Sequence, residues 1–240
     1  MTTDDSREPP RRAGPIDVGL WASQLTARVV EAGAAPRIFG YDVQADLAPH
    51  YSFGEVVLLC LSGEVPSREV GRAFEIALSF LAPVSVAEAP AHAAGLAHLL
   101  GADPSGVMAG AAIGLSERAR HIVAQHAPLL AWLAAPDAGL PDGAKAVEGE
   151  PAEAVERLAR ALETIGVEIP LLARRPTLIA GLLAVLHRCG LRRPAQLEAA
   201  LCMAAWPAVV AEAFAVPPYA FFNYPMNLPA YRYTEEPKDG

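Results

Sequence analysis

Helix start and stop signals constrain this sequence more than any other feature. Ser52 stands three residues before Glu55, the spacing at which a serine and a glutamate cap the free backbone amides of a helix start. An apolar run follows at once, and Gly63 then supplies the residue type that most often ends a helix. The same signals predict further helices over residues 66–82, 89–100, 152–165, 176–189 and 194–214, and one that begins at Asp103-Pro104.

The composition allows these helices to pack around a sizeable core. Hydrophobic residues make up 52% of the 240 residues and charged residues 19%, which excludes global disorder. We therefore expect an all-α protein with one large domain. The formal net charge of -8 disfavours a nucleic-acid partner, because phosphate binding needs a surplus of lysine and arginine on one face.

Segments without helix signals divide the chain. Residues 1–16 have the composition of a disordered tail, and residues 136–155 mix proline, glycine and acidic residues as a linker or a reduced domain does. Helical parts are expected over residues 17–135 and 156–215. Residues 216–240 carry prolines among aromatic residues and are expected to form an extended arm, laid over this chain's core or a neighbour's.

A small β-hairpin is expected near the start of the first helical part. Polarity partly alternates from Trp21 to Val29, and a second short run follows at Arg37–Phe39 after a segment with glycine and proline. A helix over residues 24–32 is the alternative, because runs this short are ambiguous.

The helix that begins after Asp103 carries a glycine at every fourth position, namely Gly106, Gly110 and Gly114. Glycine costs about 1 kcal/mol relative to alanine in a helix interior. Three glycines on one face therefore predict that another helix packs closely against that face.

Several classes of site and location are expected to be absent. The sequence has no glycine-rich phosphate loop, no nucleophile motif and no Cys/His ligand cluster, so it gives no indication of a metal site. Cys60, Cys189 and Cys202 stand in apolar runs and are expected to be buried, reduced thiols. The longest apolar stretches are too short or too interrupted to cross a membrane, and residues 1–15 lack a signal-peptide pattern. We expect a soluble, cytoplasmic protein.

A family signature is sharpest in residues 37–67. The segments RIFGYD at 37–42 and SFGEVVLLCLSGEVPS at 52–67 resemble the N-terminal signature of the citrate synthase superfamily, nearest its citryl-CoA-lyase-like branch. A looser resemblance extends over residues 20–233. It implies a citrate-synthase-like, multi-helical large domain with a reduced small domain.

The resemblance also implies a chemistry. Proteins of this family are dimers that make or break a carbon–carbon bond between acetyl-CoA and a 2-oxo acid, with one carboxylate as base and two imidazoles that stabilise the enol and polarise the ketone. This chain departs from the pattern, since Glu117 stands near the first histidine's position, residues 136–176 contain no histidine, and Ile179 stands where the carboxylate belongs. The resemblance therefore implies a catalytically degenerate member.

Two sets of residues remain as site candidates. Glu117 and His121 share a helix face, where an acid/imidazole pair could transfer a proton; we favour the alternative of a solvated, ion-paired face. Guanidinium groups suit a carboxylate or the phosphates of CoA, although ordinary surface arginines are commoner. The candidate arginines are Arg118, Arg120, Arg174 and Arg175.

Three hypotheses about function follow. The first is a catalytically inactive, citrate-synthase-like structural or regulatory subunit that forms a homodimer, or a heterodimer with an active paralogue. The second is an active acyl-CoA condensing or cleaving enzyme that uses non-family residues such as Glu117 and His121, with a CoA thioester as substrate and no cofactor. The third is a helical interaction module without a ligand.

Overall fold

Three short strands lead into a helical body in the computed structural model, which describes residues 26–136, 139–146, 152–215 and 217. The elements are, in chain order, β1 (Val30–Glu31), β2 (Arg37–Ile38), β3 (Tyr41–Asp42), α1 (Ala48–His50), α2 (Phe53–Ser62), α3 (Arg68–Leu81), α4 (Ala89–Leu99), α5 (Pro104–Gln125), α6 (Ala127–Ala134), α7 (Glu153–Glu163), α8 (Leu178–Arg188) and α9 (Pro194–Phe214). A π-helical turn at Val43–Leu47 and 3-10 turns at Asp142–Ala144 and Pro170–Arg174 lie between them. The all-α prediction is confirmed.

The small sheet is antiparallel, in the order β1-β2-β3. Val30 pairs with Ile38, which in turn pairs with Tyr41. Phe39 and Gly40 form the tight connection between β2 and β3, with positive φ angles of 49° and 86°. Two consecutive positive φ angles match the right-handed twist of a two-residue hairpin loop.

The hairpin prediction is thus confirmed, but its first strand lies at Val30–Glu31, just after the expected run. The alternative of a helix over residues 24–32 is wrong. Pairing with β2 satisfies backbone groups of β1, and that long-range gain outweighs a weak local helix preference.

The helix caps predicted around α2 are present. Ser52 Oγ accepts a hydrogen bond from the Glu55 amide at 3.2 Å, and Glu55 Oε2 accepts one from the Ser52 amide at 2.7 Å. Gly63 ends the helix in the left-handed conformation, with its amide bonded to Leu59 O at 2.8 Å. Ser67 caps α3 in the same way as Ser52 caps α2, by accepting from the Val70 amide.

The main core forms around α8, which packs against α3, α6 and α7. Every residue from Ala180 to Leu186 is buried, so this helix is surrounded on all sides. Phe74 of α3 and Leu158 of α7 are fully buried beside it. Burial of one such large side chain is worth about 1.5–3 kcal/mol, so this core contributes strongly to stability.

A second, smaller core lies where α4, α5 and α9 pack against one another. The buried row of α5 includes Val107, Ala111 and Leu115, which recur every four residues. Trp206 of α9 donates from its indole nitrogen to Met108 O at 3.4 Å. Small side chains dominate this core, and they allow the three helices to approach one another closely.

The predicted close packing at the glycines of α5 holds at one position and is wrong at the other two. A Cβ at Gly114 would lie 2.9 Å from Pro90 Cα, so α4 approaches the backbone there. A Cβ at Gly106 would meet only the Ala102 Cβ, at 3.8 Å, and one at Gly110 would meet no atom within 4 Å. The row that begins at Val107 is the buried one. Each residue of this buried row follows a glycine directly in sequence. The glycines therefore lie beside the buried face of α5 and not at its centre.

Two predicted segments fall on the edges of what the structure describes. The tail at residues 1–16 and the arm at 216–240, of which residue 217 alone is described, lie outside the described residues. Within the segment 136–155, Leu140 and Ala144 are buried in the main core. The division of the chain into domains stays a prediction.

Helix α9 is, within the described residues, long and apolar enough to cross a membrane, with a mean hydropathy of 1.5. It packs against α4 and α5, and Ala205 and Val209 on its inner face are buried. The core helix of a soluble protein passes the same length and composition test. One face of α9 thus lies in the protein interior, and 39% of its apolar window is buried.

Candidate functional site

The position matched to the family's first histidine lies on the exposed side of α5. There the Glu117 carboxylate accepts hydrogen bonds from Arg120, at 3.1 Å from Nε and 2.7 Å from Nη2. The two side chains are 63% and 64% exposed. The hydrogen bond and the positive charge of Arg120 together hold the pKa of Glu117 below its usual range. A carboxylate with a lowered pKa, in contact with water, is a weak base.

His121 lies four residues after Glu117, about one turn further along the same helix, and is exposed. In the described part of the chain, the side-chain hydrogen bonds of Glu117 go to Arg120 and none goes to His121. Glu117 bonds to Arg120 because the guanidinium group of Arg120 offers two charged donors to one carboxylate oxygen. The solvated, ion-paired face is therefore what the geometry supports, and a catalytic role for Glu117 or His121 stays a prediction.

Arg118 points to a different partner. Its Nε donates to Glu88 Oε2 at 2.7 Å, which ties α5 to the residue just before α4. Burial raises the pKa of Glu88, but hydrogen bonds from the Ser85 amide and from Arg118 outweigh burial, so the net shift is downward. The guanidinium of Arg118 is thus engaged in a structural contact.

The other two candidate arginines lie on the 3-10 turn before α8. The Arg174 guanidinium carbon is 5.5 Å from the centre of the Trp132 ring, the geometry of a cation–π contact. Arg175 ends the turn with a left-handed φ of 50°. The four candidate arginines therefore fall on two separate elements, and three of them contact three different partners, namely Glu88, Glu117 and Trp132.

The position matched to the family's carboxylate is occupied by hydrocarbon. Ile179 lies in the first turn of α8, where it is half-buried and packs against the main core. An alkyl side chain can neither accept nor release a proton. In this chain Ile179 therefore contributes to packing of the core.

The cysteines are free thiols in three different environments. Cys189 is buried, and burial raises its pKa to about 12. Cys202 is half-buried, whereas Cys60 is exposed. The prediction that all three are buried is thus wrong for Cys60, because the apolar run of α2 continues round the helix onto its outer face. Among the described residues, no group of three His, Cys, Asp or Glu side chains could hold a metal ion.

A polar cleft of about 960 Å³ lies away from these candidates, at the N-terminal ends of α2 and α3. Its volume is in the range of small-molecule sites. The polar and charged residues that line it are His50, Tyr51, Ser52, Glu55, Arg68, Glu69, Arg72 and Glu75.

A hydrogen-bonded network crosses this cleft between the two helices. Ser52 Oγ donates to Glu75 Oε1, and Arg72 Nη1 donates to Glu75 Oε2 at 2.9 Å. The Glu75 side chain is 25% exposed, although its partner Arg72 is 62% exposed. The carboxylate is therefore held from both sides.

Two glycines make room for these carboxylates. A Cβ at Gly54 of α2 would lie 2.6 Å from Glu75 Cγ, and one at Gly71 of α3 would lie 2.3 Å from Glu55 Cγ. Each helix thus accepts a glutamate of the other against a residue that has no side chain. The contact is reciprocal, and it fixes how α2 and α3 lie against each other.

The sequence alone predicted a helix-capping role for Glu55 and no role for Glu75. The available signal was glycine inside a helix, at positions 54 and 71, where a close approach is one of the few reasons to keep it. That signal does not say which residue approaches. The partner becomes visible only when the two helices are placed side by side.

Comparison with solved structures shows which fold this is. The citryl-CoA lyase of Hydrogenobacter thermophilus matches with a TM-score of 0.56 and 17% sequence identity, over 90% of this chain and 96% of that one. The ATP citrate lyase of Methanothrix soehngenii, in complex with citrate and coenzyme A, matches with a TM-score of 0.58 and 14% identity. That match covers 90% of this chain and 43% of the longer one.

A variant of the Methanosaeta concilii ATP citrate lyase, in complex with (3S)-citryl-CoA, matches with a TM-score of 0.52 and 14% identity, over 80% of this chain and 39% of that one. No protein-family model matches the sequence, and no curated protein matches it. The chain therefore has the fold of citryl-CoA lyase, as the signature in residues 37–67 implied. Identities this low establish the fold alone.

Proposed function

We propose that this chain, which has the fold of citryl-CoA lyase, is a non-catalytic subunit that assembles with a second copy of itself or with an active paralogue. The family's chemistry needs a carboxylate base and two imidazoles around one thioester. The proposal is that the scaffold has been kept while those proton-handling groups have been replaced.

The observation that carries the proposal is the environment of Glu117. Its carboxylate is paired with Arg120, and it is 63% exposed. A catalytic carboxylate is usually tuned upward by burial, so that it can take a proton near neutral pH. Arg120 instead lowers the pKa of Glu117, which makes the group a poorer base than a free glutamate.

Two further positions support the proposal. Ile179 packs against the core where the family has its base, and residues 136–176 contain no histidine that could serve as the second imidazole. Neither position can be restored by a small movement of the chain, because the required functional groups are absent from the side chains.

An activity assay tests the loss of catalysis. The purified full chain is incubated with citryl-CoA, and separately with acetyl-CoA and oxaloacetate, beside the Hydrogenobacter thermophilus citryl-CoA lyase as a positive control. We expect release or consumption of free CoA at the rate of the uncatalysed reaction. Turnover above that rate would contradict the proposal. Its disappearance in Glu117→Gln or His121→Ala would support an enzyme with non-family residues.

The outer face of α5 supports assembly. Ile113 is 68% exposed although it is a large aliphatic side chain in the middle of a long helix. Around it on the same side stand Ala109 and Gly110, which leave the backbone accessible to a second helix. An exposed aliphatic side chain beside such small residues would let a second helix approach this face closely.

The assembly is tested by measuring molar mass with light scattering on a sizing column. We expect a dimer for the unmodified chain and a shift to monomer for Ile113→Glu, because the variant would bury a charge at the interface. Phe53→Glu is the matched control, since Phe53 is 82% exposed at the start of α2. A monomer for the unmodified chain, with no mass shift after mixing with a citrate-synthase-like paralogue, would overturn the proposed assembly.

A further inference from the structure

A groove of about 440 Å³ lies where the end of α5 and α6 meet the start of α9. Its floor is apolar, and Val123, Ala127 and Leu130 are among the residues that line it. Val123 is buried in the main core and Leu130 packs against that core, so the floor has a fixed shape. A groove of this volume has room for one large aliphatic or aromatic side chain.

The charged residues at the rim of this groove are not equally neutralised. Arg120 receives the Glu117 carboxylate at 2.7 Å, and Glu117 and, to a smaller extent, Glu198 raise its pKa. The two acidic side chains near the groove therefore share one arginine. Arg192 also lines the groove and is exposed, and within the described part of the chain it forms no ion pair with a carboxylate.

Arg192 belongs to a short basic loop between α8 and α9. Arg188 ends α8 and Arg193 directly precedes α9, and all three guanidinium groups are on exposed residues. The charge of Arg188 opposes burial in its effect on the pKa of Cys189, whereas that of Arg192 adds to burial in lowering the pKa of His187. Neither neighbour is a carboxylate. The loop is therefore a local positive patch on a chain of formal net charge -8.

Gln196 holds this loop in place. Its Oε1 accepts hydrogen bonds from the Arg192 amide at 3.1 Å and from the Arg193 amide at 2.9 Å. Its Nε2 donates to Leu61 O at 2.8 Å, which ties the loop to α2. These two amides are thus used within the protein, and the guanidinium groups are what a ligand can reach. A backbone fixed before binding lowers the entropy cost of binding.

We propose that this groove docks an acidic segment of a partner protein, with an aliphatic or aromatic side chain on the floor and a carboxylate on Arg192. An apolar floor beside an arginine without a carboxylate partner complements a peptide in which the two kinds of side chain are neighbours. Arg188 and Arg193 lie on the same loop but do not line the groove, so a segment of several residues can use more of the positive charge than a small anion can.

A nucleic acid fits this surface less well. Its phosphates gain nothing from an apolar floor, and a formal net charge of -8 repels a polyanion. The inference goes beyond the proposed function, because it depends neither on the loss of catalysis nor on assembly through Ile113.

Fluorescence anisotropy of a labelled peptide, EEELFEEE, titrated with the full chain tests the proposal. We expect saturable binding that weakens as salt is added, because the carboxylates contact exposed arginines. The peptide EEEGGEEE has the same charge but no apolar anchor, and should bind about tenfold more weakly because it leaves the floor uncovered. Absence of binding, or equal binding of the two peptides, would overturn the proposal. A single-stranded oligonucleotide that binds as tightly as EEELFEEE would overturn the partner class.

Two variants and a control locate the docking site. Arg192→Gln should weaken binding of EEELFEEE about tenfold, because it removes the guanidinium group at the rim. Ala127→Glu should also weaken it, since it places a carboxylate on the floor, while an acidic residue suits the first turn of α6. Arg28→Gln is the matched control, because Arg28 is exposed, does not line the groove and loses the same charge. An equal loss in the control, or unchanged binding in both variants with an unchanged unfolding temperature, would overturn the assignment.

Discussion

Two ion pairs in this protein have the same spacing in sequence and very different surroundings. Arg72–Glu75 in α3 and Glu117–Arg120 in α5 are both pairs of residues three apart on one helix. The Glu75 side chain is 25% exposed and is pressed against Gly54 of the neighbouring helix, whereas the Glu117 side chain is 63% exposed. Local spacing creates both pairs, and only the neighbouring helix distinguishes them.

The difference separates a structural contact from a solvated one. Exposed ion pairs contribute little, because water and salt screen them and two long side chains must be ordered. A carboxylate held between two helices also determines their separation, and it cannot move without loss of its hydrogen bonds. Substitutions in the two regions should therefore have effects of different size.

The largest effect is expected for Gly71→Ala at the α2–α3 contact. The new Cβ would lie 2.3 Å from Glu55 Cγ, so the glutamate must swing away and release the Ser52 amide. We expect a loss of about 1–3 kcal/mol in the free energy of unfolding, measured by urea denaturation.

Gly95→Ala in α4 is the matched control for this substitution. No atom lies within 4 Å of a Cβ at Gly95, so alanine should stabilise the helix by up to about 1 kcal/mol. Equal effects of the two substitutions would show that the reciprocal contact between α2 and α3 has no energetic weight.

A smaller loss is expected for Ser52→Ala. The serine hydroxyl accepts from the Glu55 amide and donates to Glu75, so both the cap of α2 and the link to α3 are lost. The expected cost is about 1–2 kcal/mol in the free energy of unfolding by denaturant. Ser67→Ala removes a cap alone, with its bond to the Val70 amide at 3.4 Å, and should cost less. The comparison fails if Ser67→Ala proves the more damaging of the two.

The contact between Arg118 and Glu88 is intermediate, since it joins two elements but is partly exposed. The Arg118 hydrogen bond helps to lower the folded-state pKa of Glu88 below its ordinary value of 4.5. The stability contributed by this carboxylate is therefore present above that pH and is lost as the pH falls through the folded-state pKa.

An NMR titration of the Glu88 carboxyl carbon measures this effect. In Arg118→Gln the pKa of Glu88 should move upward, because burial still raises it while one of the opposing hydrogen bonds is gone. An identical titration curve in the variant and in the unmodified chain would show that the contact does not persist in solution.

The smallest effect is expected for Glu117→Gln. Its carboxylate is exposed and bonded within its own helix, so the unfolding midpoint at neutral pH should stay within experimental error of the unmodified chain. A clear loss of stability would show that Glu117 is buried by a partner in solution. The Glu117–Arg120 pair would then be a structural contact, as the Arg72–Glu75 pair is.

Much of the helical framework could be predicted from the residues alone. The start of α2 after Ser52 and its end before Gly63 were expected, and so was the start of α5 at Pro104. These signals work because capping hydrogen bonds join residues at most a few positions apart. The location of the hairpin was predictable only to within a residue or two, since its strands are two residues long.

Predictions that depended on a particular helix face were less successful. The glycine row of α5 was expected to meet another helix, and it does so only at Gly114. Glu117 was considered a partner for His121, and it bonds to Arg120 instead. Periodicity places residues on a common face, but several faces of an alanine-rich helix are equally able to be buried.

The sequence by itself determined where the helices of this protein begin and end, and its signature in residues 37–67 pointed to the fold. Those features rest on hydrogen bonds and side-chain preferences within one or two turns of chain. The tertiary structure alone decided that Glu55 meets Gly71 and that Glu75 meets Gly54. Such contacts join residues of different helices, and their energies depend on how the whole core sets the position and rotation of each helix.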